Sequence, residues 1–270
     1  MRILVTNDDG IHSPGLGVAE RIAGALSGDA LSGDVWVVAP EMEQSGASHS
    51  LTLTLPLRLR QVSLRRFAVT GTPTDCVMMA CLHLLKSKPP ELILSGVNSG
   101  SNLADDVTYS GTIAGAMEGS ALGIASVSLS QAADDEGKAG MDWSAGEVHG
   151  PPLLRELLAA GWPASALINV NFPSCPAAKV KGWELVPQGR YDLQSTEIEE
   201  RHDARGGAYY WIGLRRRRAL PARNSDLGAV YAGKISVTPL HMNLTEPRVL
   251  EDLRARLGRR IEQIEGDAEG

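Results

Sequence analysis

The chain has 270 residues, 43% of them hydrophobic and 21% charged, with a formal net charge of −6. This is a length near the upper size of one hydrophobic core and a composition ordinary for a globular protein. The acidic balance argues against a broad polyanion-binding surface, and only 4% aromatic residues argues against a stacking platform for single-stranded nucleic acid.

The first predicted element is the apolar run Ile3-Leu4-Val5, a buried strand that ends in Thr6-Asn7-Asp8-Asp9-Gly10. Beyond Gly15 and Gly17, the spacing of Val18, Ile22 and Leu26 predicts a helix packed on a sheet, so the order is strand, loop, helix. Ligand sites of open α/β sheets lie outside the carboxyl ends of the strands, which is where Asp8 and Asp9 fall. Two adjacent carboxylates repel each other, and a hard divalent cation relieves that repulsion while leaving positions open for phosphate oxygens. An Asp-Gly turn facing water is the plainer reading, and these five residues leave both open.

Asp34 to Pro40 reads as the second strand. The polar loop Glu41 to Ser50 leaves the same sheet edge as the Asp8-Asp9 turn, given right-handed crossovers, and its Ser45 is a candidate oxygen donor. Leu51 to Arg60 alternates strictly, and Pro56 within it predicts an edge strand or an excursion. Phe67 to Thr70 is another short strand. Thr72-Pro73-Thr74-Asp75 is a capping-box helix start. Val77, Cys81, Leu84 and Leu85 continue it at helical spacing, with Cys76 and Cys81 as core residues and His83 as structural. Leu92 to Leu94 is a buried strand running into the amide- and glycine-rich loop Ser95 to Asn102.

Tyr109-Ser110-Gly111-Thr112 opens a small-residue helix to about Leu122. Ser110 or Thr112 caps it, and its free N–H groups suit a phosphate as well as they suit an ordinary capped helix. Ala125 to Ser130 predicts a strand, Gln131 to Gly146 an acidic loop, Val148 to Ala160 a helix, and Ala166 to Pro173 a last buried strand. Alternating β and α predicts a largely parallel, doubly wound core. After Ser174 aromatics appear (Trp183, Tyr209, Tyr210, Trp211), and Arg215 to Arg218 reads as a solvated basic face. Ala229-Val230-Tyr231 and Lys234 to Leu240 read as strands outside the main alternation, forming an arm for a neighbouring subunit. Leu250, Leu253 and Leu257 mark a terminal helix over about Pro247 to Ile264.

No apolar run approaches the ~20 residues that cross a bilayer, and the first residues lack a leader pattern. Cys76, Cys81 and Cys175 suit neither a disulfide framework nor a thiolate zinc site. The expectation is a reduced, cytoplasmic protein.

Five blocks in order, namely Val5 to Gly15, Val38-Ala39-Pro40 with Gln44 to Ser48, Gly71 to Asp75, Ser95 to Asn98, and Asp105 to Thr112, resemble the survival protein SurE family. Val237-Thr238-Pro239-Leu240 resembles its closing strand. The resemblance implies an α/β, Rossmann-like fold: a mostly parallel, doubly wound sheet in three α/β/α layers, with a C-terminal β-rich arm and a terminal helix. Within one domain it implies a core over 1–173, arm and oligomerisation strands over 174–245, and a helix over 246–270.

The activity implied is a divalent-metal-dependent phosphatase acting on nucleoside 5′- and 3′-monophosphates. Carried over, the metal ligands fall on Asp8, Asp9, Ser45 and Asn98, holding one Mg2+ or Mn2+ per subunit, with Asp8 and Asp9 catalytic. The phosphate side falls on Asn102, Ser110, Gly111 and Thr112. A homodimer or homotetramer through the arm is implied, without membrane or nucleic-acid duplex binding. Glu41, where an aspartate is usual, and Ala204, where the arm often has proline, depart from the pattern away from any ligand position.

These residue types suit the chemistry, because phosphoryl transfer asks mainly for positioning and charge neutralisation. Bare carboxylates repel the substrate, whereas a bound cation with neutral oxygens from Ser45 and Asn98 stays electrophilic. Whether water or an aspartate attacks stays open, with His12 and His241 as candidates to protonate the leaving group. A nicotinamide dehydrogenase is disfavoured by the missing Gly-x-Gly-x-x-Gly. A metal-dependent nucleoside hydrolase and a non-enzymatic, Mg2+-binding receiver-type module are the rivals.

Overall fold

The computed structural model describes residues 1–28, 34–133, 140–190, 194–216 and 222–268. The elements in chain order are β1 (Arg2–Thr6), α1 (Pro14–Leu26), β2 (Asp34–Pro40), β3 (Leu59–Ser63), β4 (Arg66–Val69) and α2 (Pro73–Met79). They continue with β5 (Leu92–Ser99), α3 (Gly111–Ala121), β6 (Ala125–Gln131), α4 (Ser144–Ala160), β7 (Ala166–Phe172) and β8 (Trp183–Leu185). The chain then forms β9 (Gln194–His202), β10 (Ala208–Arg216), α5 (Asp226–Tyr231), β11 (Ile235–His241) and α6 (Pro247–Ala268).

Among the described residues the main sheet runs β3-β4-β2-β1-β5-β6-β7-β11-β8. β1 pairs parallel with both β2 and β5, and β2–β4, β5–β6, β6–β7 and β8–β11 are also parallel, while β3 pairs antiparallel with β4. The chain moves outward from β1 to β2 and β4, then returns to the other side of β1 for β5, β6 and β7. That reversal puts a crevice at the carboxyl ends of β1 and β5.

Successive residues of a strand face opposite sides, and each side carries its own helices. Ile3 and Val5 of β1 pack with Leu16, Ile22 and Leu154 of α1 and α4. Leu4 packs with Cys76 and Val77 of α2. On that same side the backbone of Gly119 in α3 lies against Ile93 and Ser126. This is the expected three-layer α/β/α arrangement. Thr72 and Asp75 cap α2 reciprocally, and the helix closes on a π-helical turn over Ala80–Leu84. Cys76 and Cys81 are buried within it.

Leu51 to Arg60 follows both courses expected of it: up to Arg58 it is an excursion, with Leu53 and Leu55 84% and 70% exposed, and from Leu59 it enters β3 at the edge of the sheet. Alternation makes a strand only where a neighbour offers backbone partners, and here β4 pairs from Leu59 onward. Other expectations are corrected. Ala229-Val230-Tyr231 lies in helix α5, capped by Ser225, whose hydroxyl accepts from the Gly228 N–H. A three-residue apolar run cannot by itself separate strand from helix, and the Ser-Asp cap ahead of it decides. Lys234 to Leu240 does not lie outside the main sheet: β11 sits between β7 and β8, with Ile235, Ser236, Val237 and Thr238 buried. Helix α4 begins at Ser144, four residues before the expected Val148.

β9 and β10 form a separate antiparallel hairpin on which Ile198, Tyr209, Tyr210 and Trp211 are exposed. Residues 134–139 of the expected acidic loop, and Arg217 and Arg218 of the basic run, lie outside the described residues. The chain divides into two units, Met1–Leu240 and His241–Gly270. The second consists of α6 and its lead-in, where Arg256 pairs with Asp252 one turn away at 3.0 Å. No described helix is long and apolar enough to cross a membrane.

Candidate active site

The turn after β1 is pinned by its own residues. Asn7 donates through Nδ2 to the Gly10 carbonyl (3.1 Å) and to Ser13 Oγ (2.7 Å), and Ser13 caps α1. Gly10 holds φ +95°, a conformation a side chain resists. With the chain turned there, Asp8 and Asp9 come to one side. The Gln44 N–H donates to the Asp8 carbonyl at 2.8 Å, which brings the loop after β2 alongside.

Asp8 is nearly buried and sits against the start of α3. Thr112 Oγ1 donates to Asp8 Oδ1 at 2.5 Å, and the Thr112 N–H donates to the same carboxylate. A Cβ on Gly111 would lie 2.8 Å from the Asp8 Cβ, so glycine is what lets the helix begin here. Burial pushes the Asp8 carboxyl up to about 6; the Thr112 hydroxyl opposes the rise and the Asp9 charge adds to it. Burial also raises Asp9, opposed by the Ser99 N–H at 3.0 Å and reinforced by Glu43.

Asn98 and Ser45 reach the same place. The β5–β6 ladder shifts register between Ser95 and Asn98, and pairing resumes with Asn98 opposite Ser130. Asn98 Nδ2 donates to the Gly100 carbonyl at 2.9 Å, which fixes the amide plane. Ser45 Oγ donates to Glu43 Oε1 at 2.8 Å.

These four residues line a cavity of about 450 Å³ together with Glu43, Asn102, Asp106, Tyr109 and Ser110. Ser110 also caps α3 by accepting the Ile113 N–H. Gly111 and Thr112 stand behind Asp8, outside the lining, with the Thr112 hydroxyl committed to the carboxylate. His12 is exposed and outside the lining, and His241 falls in the second unit.

Four acids and no Lys, Arg or His are among the described lining residues. Such a crevice repels phosphate until a cation enters. No group of three or more His, Cys, Asp and Glu gathers as a metal site among the described residues. The converging donors are instead two carboxylates with two neutral oxygens, a set that suits a hard, oxygen-preferring ion.

Sequence reading missed the residues behind the cavity. Asn169 and Asn171 of β7, Ser128 and Ser130 of β6, and Asp226 at the start of α5 are all buried and polar. The available signal was Asn-Val-Asn inside an apolar strand, because amides are buried only where they find partners.

A family model described as Survival protein SurE matches residues 3–195. The chain belongs to the SurE family. A protein of Parvibaculum lavamentivorans named 5′-nucleotidase SurE is 53% identical over 258 residues, covering 96% of this chain and 91% of its own length. Its namesake from Caulobacter vibrioides is 52% identical over 96% of this chain and 97% of its own. The crystal structure of the SurE protein from Aquifex aeolicus matches with a TM-score of 0.78 at 35% identity, covering 94% of this chain and 99% of that one. The fold is therefore the SurE fold, and the protein is an enzyme of the hydrolase class.

Proposed function

We propose that this SurE-family hydrolase is a divalent-metal-dependent phosphomonoesterase that releases phosphate from nucleoside 5′- and 3′-monophosphates. The observation that carries it is the acid-lined cavity at the crossover point of the sheet, which holds no basic side chain among its described residues and so calls for a cation to offset the acids before a phosphate enters. Asp8, Asp9, Ser45 and Asn98 would hold Mg2+ or Mn2+, which when bound supplies Lewis-acid pull on a phosphoryl oxygen.

The remaining work falls to side chains. Thr112 fixes one oxygen of Asp8, and the Ser99 N–H fixes one oxygen of Asp9. The carboxylates therefore meet their ion, or take a proton from the attacking group, without reorganising. Asn102 and the Ser110 end of α3 also line the cavity, and there they would hold phosphate oxygens. Exposed Tyr209, Tyr210 and Trp211 on the β9–β10 hairpin support an arm that pairs with a second copy, giving a dimer or tetramer.

Incubation with AMP and Mn2+ tests the reading directly. Release of orthophosphate, abolished by EDTA, is the expected result. Release of adenine would assign a nucleoside hydrolase instead, and no turnover of any nucleotide would leave a binding module.

A further inference from the structure

The backbone that carries Asn102 is held by side chains from distant parts of the chain. The Asn102 N–H donates to Asn171 Oδ1 at 2.8 Å, and its carbonyl accepts from Asn169 Nδ2 at 2.9 Å and Asn171 Nδ2 at 3.1 Å. Its own Nδ2 donates to Ser130 Oγ at 2.8 Å. Two residues on, Ala104 is treated likewise. Its N–H donates to Asp226 Oδ2 at 2.8 Å, and its carbonyl accepts from Gln188 Nε2 at 2.8 Å. Ala104 stands at φ +50°, a left-handed conformation that a residue with a Cβ resists.

Asp226 is fully buried, and its other oxygen accepts from the Gly189 N–H (2.8 Å) and the Leu227 N–H (2.7 Å). Both carboxylate oxygens are engaged by backbone N–H groups, so it has no part in proton transfer at the cavity. Burying a carboxylate is costly, and an apolar residue would serve packing alone better. What the carboxylate adds is location: it joins the segment at Gly189, the start of α5 and Ala104 at one point.

We propose that Asp226, assisted by Gln188, is the positioning residue for the phosphate side of the site. It holds Ala104 in its left-handed turn, and so sets where Asn102, two residues before it, stands in the cavity wall. This inference rests on the phosphomonoesterase reading for its substrate, but its test does not depend on that reading.

Asp226→Asn keeps the size of the side chain. With the amide oxygen left on the Gly189 and Leu227 N–H groups, it sets an NH2 against the Ala104 N–H. The expected result is a KM for AMP raised about tenfold with kcat changed less than about threefold, because a phosphate contact is made in ground and transition states alike. Binding of inorganic phosphate to the Mn2+-loaded protein weakens by the same factor, while Mn2+ affinity stays within about twofold. Adding Ala104→Gly to Asp226→Asn recovers about fivefold, because glycine takes the left-handed turn without a penalty.

Three results each overturn the proposal: KM and phosphate binding unchanged in Asp226→Asn, equal loss of Mn2+ and phosphate, or no recovery with glycine at 104. If Asp226→Asn does not fold, Gln188→Ala carries the same measurements from the carbonyl side, with an expected loss in phosphate binding of about threefold; no loss overturns the proposal. A wild-type protein that leaves AMP intact would defeat the proposed reaction, yet the phosphate-binding arm would still decide the role of Asp226.

Discussion

The two walls of the cavity are built differently. On the Asp8-Asp9 side, the backbone turn is set by neighbours in sequence, with Asn7 bonding Gly10 and Ser13 and Ser13 capping the helix that follows, while Thr112 and the Ser99 N–H hold the two carboxylates from afar. On the Asn102 side the backbone itself is set by residues far along the chain: Asn169, Asn171, Gln188 and Asp226 each hold one or two backbone atoms. The difference teaches that the backbone of the carboxylate wall rests on a short local turn, whereas that of the Asn102 wall depends on β7, the segment after β8 and α5 all being in place. Damage to the first should remove the chemistry at once. Damage to the second should loosen the grip on substrate first.

The largest expected effect is on the carboxylate wall. Asp8→Asn and Asp9→Asn each remove half of the anionic charge that would hold the proposed ion, and turnover of AMP should fall by about a thousandfold or more. Circular dichroism and melting should show the fold retained. If both variants kept full turnover, the comparison would fail at its base.

Gly111→Ala comes next, because α3 meets the carboxylate wall through that residue. A methyl there would lie 2.8 Å from the Asp8 Cβ and 2.9 Å from its Oδ2, so either the helix start or the carboxylate must move. The expected cost is about 1–3 kcal/mol of stability, with AMP turnover reduced about tenfold to a hundredfold through the displaced carboxylate. Unchanged stability and rate would show that α3 is free to shift.

The carboxylate wall was readable in the sequence because its logic is local. Asp-Asp-Gly after a strand, and a Ser-Gly-Thr helix start, announce a turn and a cap within ten residues. The doubly wound core was readable for the same reason, since strand and helix periods alternate from Ile3 to Phe172. The Asn102 wall was not, because nothing local ties Asp226 to Ala104, which lie 122 positions apart. The arm was misjudged at β11 because Ile235 to Val237 resembles any short strand, and only the partner beside it places it in the main sheet. At Leu51 to Leu57 the proline outweighed the alternation, and the stretch is the excursion that Pro56 announced.

Titration adds a test of the carboxylate wall, because its Asp8 carboxyl is buried. Asp8 is raised from 3.8 to about 6, so between those values the folded chain holds more protons than the unfolded chain. Stability of the metal-free protein therefore falls as pH climbs through that window and levels off above it, by about 3 kcal/mol at most. Mn2+ competes with the same proton, so its affinity should weaken as pH drops below about 6 and its stabilising effect should be largest above it. Urea melts with and without Mn2+ from pH 4 to 8 would show this; a metal-free protein that grew more stable across the window would contradict it.

The smallest expected effect is at His12, beside the carboxylate wall in sequence and outside the cavity in space. Its side chain is exposed and absent from the lining, whereas a leaving-group acid must reach the substrate oxygen directly or through one water. His12→Ala should leave AMP turnover within about twofold and the alkaline limb of the pH profile unmoved. A tenfold loss with that limb displaced would restore His12 as the acid. It would also mean that the turn after β1 closes further over bound substrate.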